Sequence, residues 1–413
     1  MPRFGFWARV FAPFAFGYFI SYLLRSVTAI IAPDLVRDLG LSAFGVGLLG
    51  STYLLAFAVA QIPIGGALDH FGPRRTNGVL LVAGAVGCFL FGVAESFPIL
   101  IVGRFLAGLG VAACLMASFK AFVLWAPPAR LPFLNGFVMA VGSTGALVAT
   151  TPTEWLLGVV SWRELFVLLA MSLVAGSAVL FALVPRDPRP AGGDAPSGLL
   201  AATVGIREVV RRRLFWSIAP LGVVHQATFL GIQSLWAGPW FSGVAAMDRD
   251  AVATHLLILA VAMVLGYLLT GAVAGALAKR GFSALTLLGA TNLAFTATLL
   301  VLASGWMGAP AALWVAFGFF GSSGMLSFAI LVARYPTGLA GRVTSALNLL
   351  IFAAAFSVQA GFGAVIDRFP GDGPEAPFAG AGFAVAFLIA AALQGLSLVW
   401  LRVTRSWRNP KSD

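Results

Sequence analysis

The segment from Leu285 to Ala303 reads LTLLGATNLAFTATLLVLA and carries no charged side chain. A helix that crosses the hydrocarbon core of a bilayer needs about 20 predominantly apolar residues, so this segment predicts a transmembrane helix. A transmembrane β-strand would be shorter and would alternate apolar with polar residues, which this run does not do. The long continuous run therefore favours a helical membrane protein over a β-barrel.

The composition of the whole chain points the same way. Of its 413 residues, 60% are hydrophobic and only 10% are charged, whereas soluble domains are about 45–50% apolar and about 25% charged. This excludes an ordinary soluble globular protein and a disordered chain. Polar or Pro/Gly breaks separate twelve apolar segments, and we predict an all-α membrane protein with twelve transmembrane helices at 10–32, 43–67, 77–95, 99–124, 133–157, 164–184, 215–241, 252–277, 283–304, 310–333, 343–366 and 379–402.

The longest polar stretch separates the sixth apolar segment from the seventh. It runs from Pro185 to Arg213 and contains four prolines and a run of three arginines, which is a linker composition. We predict an N-terminal six-helix bundle over 1–184, a cytoplasmic linker over 185–213 and a C-terminal six-helix bundle over 214–413. Two parallel halves around a central site are a recurring plan of transporters.

The distribution of basic residues predicts the orientation. With the N-terminus in the cytoplasm, nineteen of the 26 Lys and Arg residues fall at the inner ends of the segments, and four fall outside, at Arg37, Arg163, Arg249 and Arg368. Basic residues are retained on the cytoplasmic side, so both termini are predicted to be cytoplasmic. The net charge of +11 is then a topology signal that also attracts anionic lipid head groups, and we expect no nucleic-acid partner.

The loop after the second apolar segment carries a recognisable pattern. From Gly65 to Arg75 it reads GGALDHFGPRR and resembles the loop signature of the major facilitator superfamily, G-x-x-x-D-(R/K)-x-G-(R/K)-(R/K). His70 replaces the usual basic residue and Pro73 adds one position, while five residues match or nearly match: Gly65, Asp69, Gly72, Arg74 and Arg75. Glycines permit tight turns and close helix contacts, and an aspartate accepts charge-assisted hydrogen bonds. We interpret the loop as a conformational latch; the alternative is a solvated basic loop that only sets topology.

A second resemblance to the same superfamily lies in the fourth segment. Residues 104–112 read RFLAGLGVA, similar to R-x-x-Q-G-x-G-A-A with Ala107 in place of the glutamine. The resemblance implies that Arg104 takes part in conformational or proton coupling. The alternative is that Arg104 snorkels to the outer interface. Membership would imply a monomeric secondary transporter in which two bundles rock around a central site.

The resemblance also indicates where substrate residues should lie, because segments 1, 4, 7 and 10 line the central cavity in this superfamily. Arg25 shares a helical face with Tyr18, Ser21 and Tyr22, and Lys120 is the one lysine within a predicted span. Each cation either holds an anionic group or snorkels to an interface. Arg25, Tyr22 and Lys120 are our candidate substrate-binding residues in this half.

The seventh segment supplies the candidates of the other half. Gln226, Gln233 and Trp236 share a predicted face, which suits a polar ligand with an apolar wall. His225 lies mid-span and either carries a proton or is a core histidine with a hydrogen-bonded partner. Glu154, at a predicted helix end, is the other candidate proton relay.

The charges within the spans suggest the cargo. No Asp or Glu lies near a predicted span centre, so a cavity with Arg25 would be electropositive and would favour an anion. Enzyme motifs are absent from the sequence, and we expect no catalytic residue, cofactor or metal. We predict proton-coupled uptake of a small organic anion across a bacterial-type inner membrane. The alternatives are efflux of an amphipathic drug-like compound and a membrane sensor that does not transport.

Overall fold

The computed structural model describes residues 3–127, 130–186, 206–336, 339–373, 376–378 and 380–404. Within these ranges the chain is helical except for loops and one short antiparallel hairpin, in which β1 (Pro370–Gly373) pairs with β2 (Ala376–Phe378). In the part of the chain that the structure describes, ten helices are long and apolar enough to cross a membrane, or eleven if one bent pair is counted as a span. The predicted all-α membrane fold is confirmed, while the count of twelve and the location of the termini stay predictions.

Contacts divide the chain into two units. Unit 1 comprises Met1–Ile31 and Thr52–Thr203, and unit 2 comprises Ala32–Ser51 and Val204–Asp413. The segment Ala32–Ser51 therefore belongs with the second unit, although it lies far inside the predicted N-terminal bundle. Most of the predicted linker, residues 187–205, lies outside the described residues.

Unit 1 is built from helices of the first half of the chain. They are α1 (Arg3–Phe6), α2 (Ala12–Ser26), the first turn of α3 (Thr28–Leu39), α4 (Ala43–Gly92) from Thr52 onward, α5 (Phe97–Val111), α6 (Cys114–Trp125), α7 (Leu131–Val148), α8 (Thr151–Leu157) and α9 (Trp162–Leu183). Local sequence starts these helices: a proline stands in the first turn of α5, α7 and α8, where its missing N–H costs nothing. At α9, Ser161 and Glu164 form a reciprocal capping box.

Two breaks interrupt the helices of unit 1, one between the second and third predicted spans and one within the fourth. Helix α4 has 50 residues, far more than the ~20 that one span needs, and it changes direction at Gly72. There the backbone has φ 77° and ψ 166°, a region that is essentially restricted to glycine. The fourth predicted span is interrupted between α5 and α6, at Ala112 and Ala113, so the residues on either side do not follow one continuous helix.

Close packing of α4 against α5 depends on small residues. A Cβ atom on Gly110 would lie 2.2 Å from the Cα atom of Gly84, closer than van der Waals contact allows. Lipid tails are as apolar as the helix surfaces, so helices in a membrane associate through close van der Waals packing at small residues. This contact sets the position of the helix that carries Arg104.

Unit 2 is built mainly from the second half of the chain. After a helical turn at 206–211 come α10 (Arg213–Gly231), a π-turn (Ile232–Trp236), α11 (Ala237–Gly243), α12 (Arg249–Ala278), α13 (Ala284–Ala303), α14 (Pro310–Gly321), a 3₁₀ turn (Ser322–Met325), α15 (Leu326–Val332), α16 (Ala340–Ile366) and α17 (Gly380–Thr404). Buried indoles fill part of its interior, with the ring centroids of Trp240 and Trp314 separated by 5.4 Å. Such aromatic pairs add to the stability that their burial provides.

Candidate functional site

Arg25 lies in the last turn of α2 and is 9% exposed. Its guanidinium carbon stands 4.8 Å from the ring centroid of Tyr22 and 5.1 Å from that of Phe57. Cation–π contacts at this distance stabilise a buried charge. Tyr18, which packs edge-on against Tyr22 at 5.2 Å, completes an aromatic wall beside the guanidinium.

Arg104 is buried against a neighbouring aromatic ring. It is 1% exposed, and its guanidinium carbon lies 4.7 Å from the ring centroid of Tyr53. The Tyr53 and Phe57 rings are 5.0 Å apart, so an aromatic pair from α4 stands between the two arginines. Within the described residues, Nε and Nη1 of Arg104 have no hydrogen-bond partner. We call this group, Tyr22, Arg25, Tyr53, Phe57 and Arg104, the arginine–aromatic cluster.

The backbone of α2 is tied to this cluster. The Tyr53 hydroxyl donates a hydrogen bond of 2.7 Å to the carbonyl oxygen of Ser21, and Tyr53 itself is 1% exposed. A buried hydrogen bond of this kind fixes the relative position of two helices, because leaving either group unpaired is costly. Neither Tyr53 nor Phe57 was a candidate from sequence; both look like ordinary apolar-run residues of a membrane helix.

Lys120 is placed away from the arginine–aromatic cluster. Its Nζ forms an ion pair with Oδ1 of Asp69, and the two side chains are 30% and 64% exposed. The structure thus joins the predicted substrate lysine to the predicted latch aspartate. Asp69 had been expected to bind a basic group, and Lys120 supplies that group. Solvent-exposed ion pairs are usually weak, so this contact can form and break at little cost.

The rest of the predicted latch is arranged around the break at Gly72. Arg74 donates from Nη2 to the carbonyl oxygen of Phe181 at 2.5 Å, and Thr76 donates to the carbonyl oxygen of Ala67 at 3.0 Å. Arg75 is exposed. Gly65 differs from the expectation of a close helix contact, because a Cβ atom there would meet nothing within 4 Å.

This contrast between two glycines of the latch gives a testable prediction. Gly72→Ala should destabilise the protein by about 1–3 kcal/mol, since alanine does not adopt the Gly72 backbone conformation without strain. Gly65→Ala should be neutral, since its Cβ would point into open space and alanine is the better helix former. Thermal unfolding in detergent, followed by tryptophan fluorescence, measures both. A Gly65→Ala variant that is the less stable of the two would contradict this assignment.

His225 lies fully buried at the centre of a hydrogen-bond chain in unit 2. Gln394 donates from Nε2 to the carbonyl oxygen of Val224 at 3.2 Å, so its Oε1 is left to accept from Asn292 Nδ2 at 2.6 Å. The second proton of Asn292 Nδ2 then points to Nδ1 of His225 at 3.0 Å. Since Nδ1 accepts, the imidazole proton resides on Nε2.

The other ring nitrogen of His225 is engaged as well. Nε2 donates to the carbonyl oxygens of Phe320 and Gly321 at 3.2 and 3.1 Å. Both ring nitrogens are therefore used by a neutral imidazole, and a second proton on Nδ1 would face a hydrogen-bond donor. The arrangement favours the interpretation of His225 as a core histidine that connects α10, α13 and α14.

A π-turn lies among the remaining candidates of the seventh segment. The π-turn at Ile232–Trp236 adds a residue to one turn and so changes the angular position of everything that follows. Trp236 is fully buried, and its Nε1 donates to the carbonyl oxygen of Gln359 at 2.9 Å. Gln226 and Gln233 are 6% and 8% exposed, and Oε1 of Gln226 has no hydrogen-bond partner among the described residues.

Glu154 lies in α8, beyond the bend of 42° that separates this helix from α7. It is partly exposed. Among the residues that the structure describes, no three His, Cys, Asp or Glu side chains come together as a metal site.

An ion pair that the sequence did not single out ties the segment Ala32–Ser51 to unit 2. Arg249 donates from Nη1 and Nη2 to the two carboxylate oxygens of Asp34, at 2.9 and 3.0 Å. Arg37 also reaches Asp34, at 2.9 Å. Asp34 is 5% exposed, and a bidentate pair with a carboxylate is the strongest geometry that an arginine adopts. Asp367 adds a second tie by accepting from the Phe44 amide at 2.9 Å.

The family model of the Major Facilitator Superfamily matches residues 14–360. The chain therefore belongs to the Major Facilitator Superfamily and is a multi-pass membrane protein, and the family predicted from the two motifs is confirmed.

Among its relatives is a probable sulfoacetate transporter of Cupriavidus necator, 32% identical over 41% of this chain and 39% of that protein. A hexuronate transporter of Escherichia coli is 27% identical over 49% of this chain and 50% of that protein. A nitrate/nitrite transporter of Picosynechococcus is 31% identical over 32% and 24% of the two chains. The alignments thus span half or less of the length of these relatives.

Two solved structures show the same fold. A bacterial homolog of the human lysosomal transporter Spinster has a TM-score of 0.82 at 16% identity, covering 100% of this chain and 99% of that chain. A D-xylose-proton symporter has a TM-score of 0.67 at 17% identity, covering 92% and 95%. Identities this low support the fold and say nothing about the cargo.

Proposed function

We propose that the protein is a secondary transporter that takes up a small organic anion by alternating access. Family membership supports transport rather than enzymatic catalysis. The observation that carries the choice of an anion is the arginine–aromatic cluster, in which two buried guanidiniums flank the Tyr53–Phe57 pair. Electrostatic attraction for an anion is strong in such low-dielectric surroundings, and burying an arginine in a membrane interior is usually functional.

The relatives support the same choice. Sulfoacetate, hexuronates and nitrate, the compounds named for three of them, all carry negative charge at neutral pH. Arginine suits such groups, since its planar fork matches carboxylate and sulfonate oxygens with two parallel hydrogen bonds. We assign Arg25 to hold the anionic group, with Tyr22 beside it. Gln226 and Gln233 remain our candidate polar contacts from unit 2.

The site residues are revised in two respects. Lys120 moves from the substrate to the latch, because it pairs with Asp69. Trp236 acts by packing, because its only polar atom is bound to Gln359. Arg104, which contacts the Tyr53 ring, retains the role of coupling substrate charge to helix movement.

In this proposal the coupling ion is a proton, which moves down the proton gradient across a bacterial-type inner membrane. Glu154 is the preferred carrier, since both nitrogens of His225 are already used by hydrogen bonds of the neutral ring. A carboxylate near a helix end of a membrane protein can exchange protons with water while remaining close to the spans.

Counterflow in proteoliposomes tests the proposal. Vesicles loaded with unlabelled sulfoacetate or glucuronate should accumulate the matching labelled anion, while vesicles loaded with neutral xylose should not accumulate labelled xylose. An inward proton gradient should stimulate net uptake, and Glu154→Gln should remove that stimulation while counterflow continues. Exchange of the neutral sugar but of no anion would overturn the anion assignment, and extrusion of amphipathic dyes alone would favour efflux.

A further inference from the structure

A cavity in the side of unit 1 lies apart from the arginine–aromatic cluster. Its volume is about 650 Å³, within the range of about 300–1,000 Å³ that is typical of ligand pockets. Helices α4, α5 and α9 and the break at Gly72 form its walls, and its lining residues are Ala60, Pro63, Ile64, Ala67, Phe71, Arg75, Thr76, Val79, Leu80, Leu109 and Phe181.

The interior of this cavity suits hydrocarbon. Apart from Arg75 and Thr76, every lining side chain is apolar. The Thr76 hydroxyl is already bound to the carbonyl oxygen of Ala67 at 3.0 Å, so its donor is used within the wall. A polar solute would lose hydrogen bonds to water here and gain few in return, whereas an acyl chain has no hydrogen bonds to lose and meets apolar surroundings like those of the bilayer.

Two exposed apolar side chains mark the mouth of the cavity. Phe71 and Val79, both at the lining, are 54% and 62% exposed. Large apolar side chains exposed on a multi-pass membrane protein contact acyl chains. A lipid tail can therefore enter from the bilayer without crossing water.

Two arginines stand at the same place. Arg75 is exposed and belongs to the lining. Arg74 is anchored by its hydrogen bond to Phe181 and lies 5.3 Å from that ring, while its Nε has no hydrogen-bond partner within the described part of the chain. This loop is predicted to face the cytoplasm, where anionic lipids attract basic residues, and arginine binds phosphate oxygens well.

We propose that this cavity binds one acyl chain of an anionic phospholipid, whose phosphate is held by Arg75 and Arg74. The lipid then occupies the angle at Gly72, next to the Asp69–Lys120 pair. Its presence would hold the latch in the observed arrangement, so the charge of the surrounding lipid would set how readily the latch opens.

Native mass spectrometry of the purified full-length chain tests this proposal. The probes are dioleoyl phosphatidylglycerol, dioleoyl phosphatidylcholine with the same tails, and glycerol 3-phosphate, which has no tail. One phosphatidylglycerol should be retained in preference to phosphatidylcholine, and glycerol 3-phosphate should not be retained. Arg75→Gln should weaken phosphatidylglycerol binding about fivefold, the effect of about 1 kcal/mol per basic residue near an anionic surface.

Matched variants distinguish lipid binding in the cavity from lipid binding elsewhere on the surface of the protein. Val79→Trp should close the mouth and abolish retention, and Ala67→Leu narrows the same space if Val79→Trp does not fold. Val82→Trp and Arg130→Gln change an exposed valine and an exposed arginine that do not line the cavity, and both should bind like the unchanged chain. Equal retention of phosphatidylcholine, or full binding by both cavity variants, would overturn the proposal, as would retention of glycerol 3-phosphate.

Discussion

Replacing Arg25 with leucine should abolish uptake of the anionic substrate while leaving expression and folding intact. Removing one member of a desolvated charge pair typically costs about 2–5 kcal/mol, so substrate affinity should fall by at least about 30-fold. Folding should survive because leucine is apolar and fits a site whose neighbours are the rings of Tyr22 and Phe57. Radiolabelled uptake gives the transport rate, and size-exclusion chromatography checks the fold.

Two further variants serve as a conservative replacement and as a control. Arg25→Lys keeps the charge but loses the planar fork, so it should retain part of the activity. Arg130→Leu removes an exposed arginine outside the arginine–aromatic cluster and should transport normally. If Arg25→Leu transports with an unchanged KM, the anion is held elsewhere, and the assignment of Arg25 is wrong.

The membrane fold could be predicted from sequence because the bilayer imposes a simple rule. Backbone polar groups in hydrocarbon must pair within the segment, so a long apolar run such as 285–303 has little choice but to be helical. Breaks inside the spans were harder to predict. Gly72 lies in a loop that was expected between two predicted spans, whereas the π-turn at Ile232–Trp236 lies within a predicted span and has no marker in the apolar pattern.

Charged residues in the spans were easy to find, but their partners were not. Arg25 and Arg104 stand out in sequence because charge in hydrocarbon is costly. Tyr53 and Phe57, whose rings contact the two guanidiniums, are uncharged and do not stand out in an apolar segment. Lys120 was placed with the substrate because local spacing cannot reveal a contact with Asp69, 51 positions away in the chain.

The ion pair between Asp34 and Arg249 was also not predicted, because the two residues lie 215 positions apart in the chain. In the sequence analysis Arg249 contributed only to the predicted topology, and Asp34 was not singled out. Their bidentate contact joins the segment Ala32–Ser51 to the rest of unit 2, whereas chain order alone assigns this segment to the first bundle.

The second large effect should come from Asn292, which is fully buried and supplies both donors at the middle of the hydrogen-bond chain in unit 2. In Asn292→Leu, Oε1 of Gln394 and Nδ1 of His225 would lose their donor. A buried polar group left unpaired costs about 1–3 kcal/mol, so two such groups should lower the apparent melting temperature by roughly 10 °C.

Thermal unfolding in detergent measures this loss, with Asn348→Leu as the matched control. Asn348 is half-buried in the same unit, so the same substitution there should shift the melting temperature far less. His225→Leu should be destabilised like Asn292→Leu, because it breaks the chain at the next link. A melting temperature for Asn292→Leu within about 2 °C of the unchanged protein would show that the chain does not hold unit 2 together. In that case His225 would again be a candidate proton carrier. The pH dependence of transport by His225→Leu would then be compared with that of Glu154→Gln.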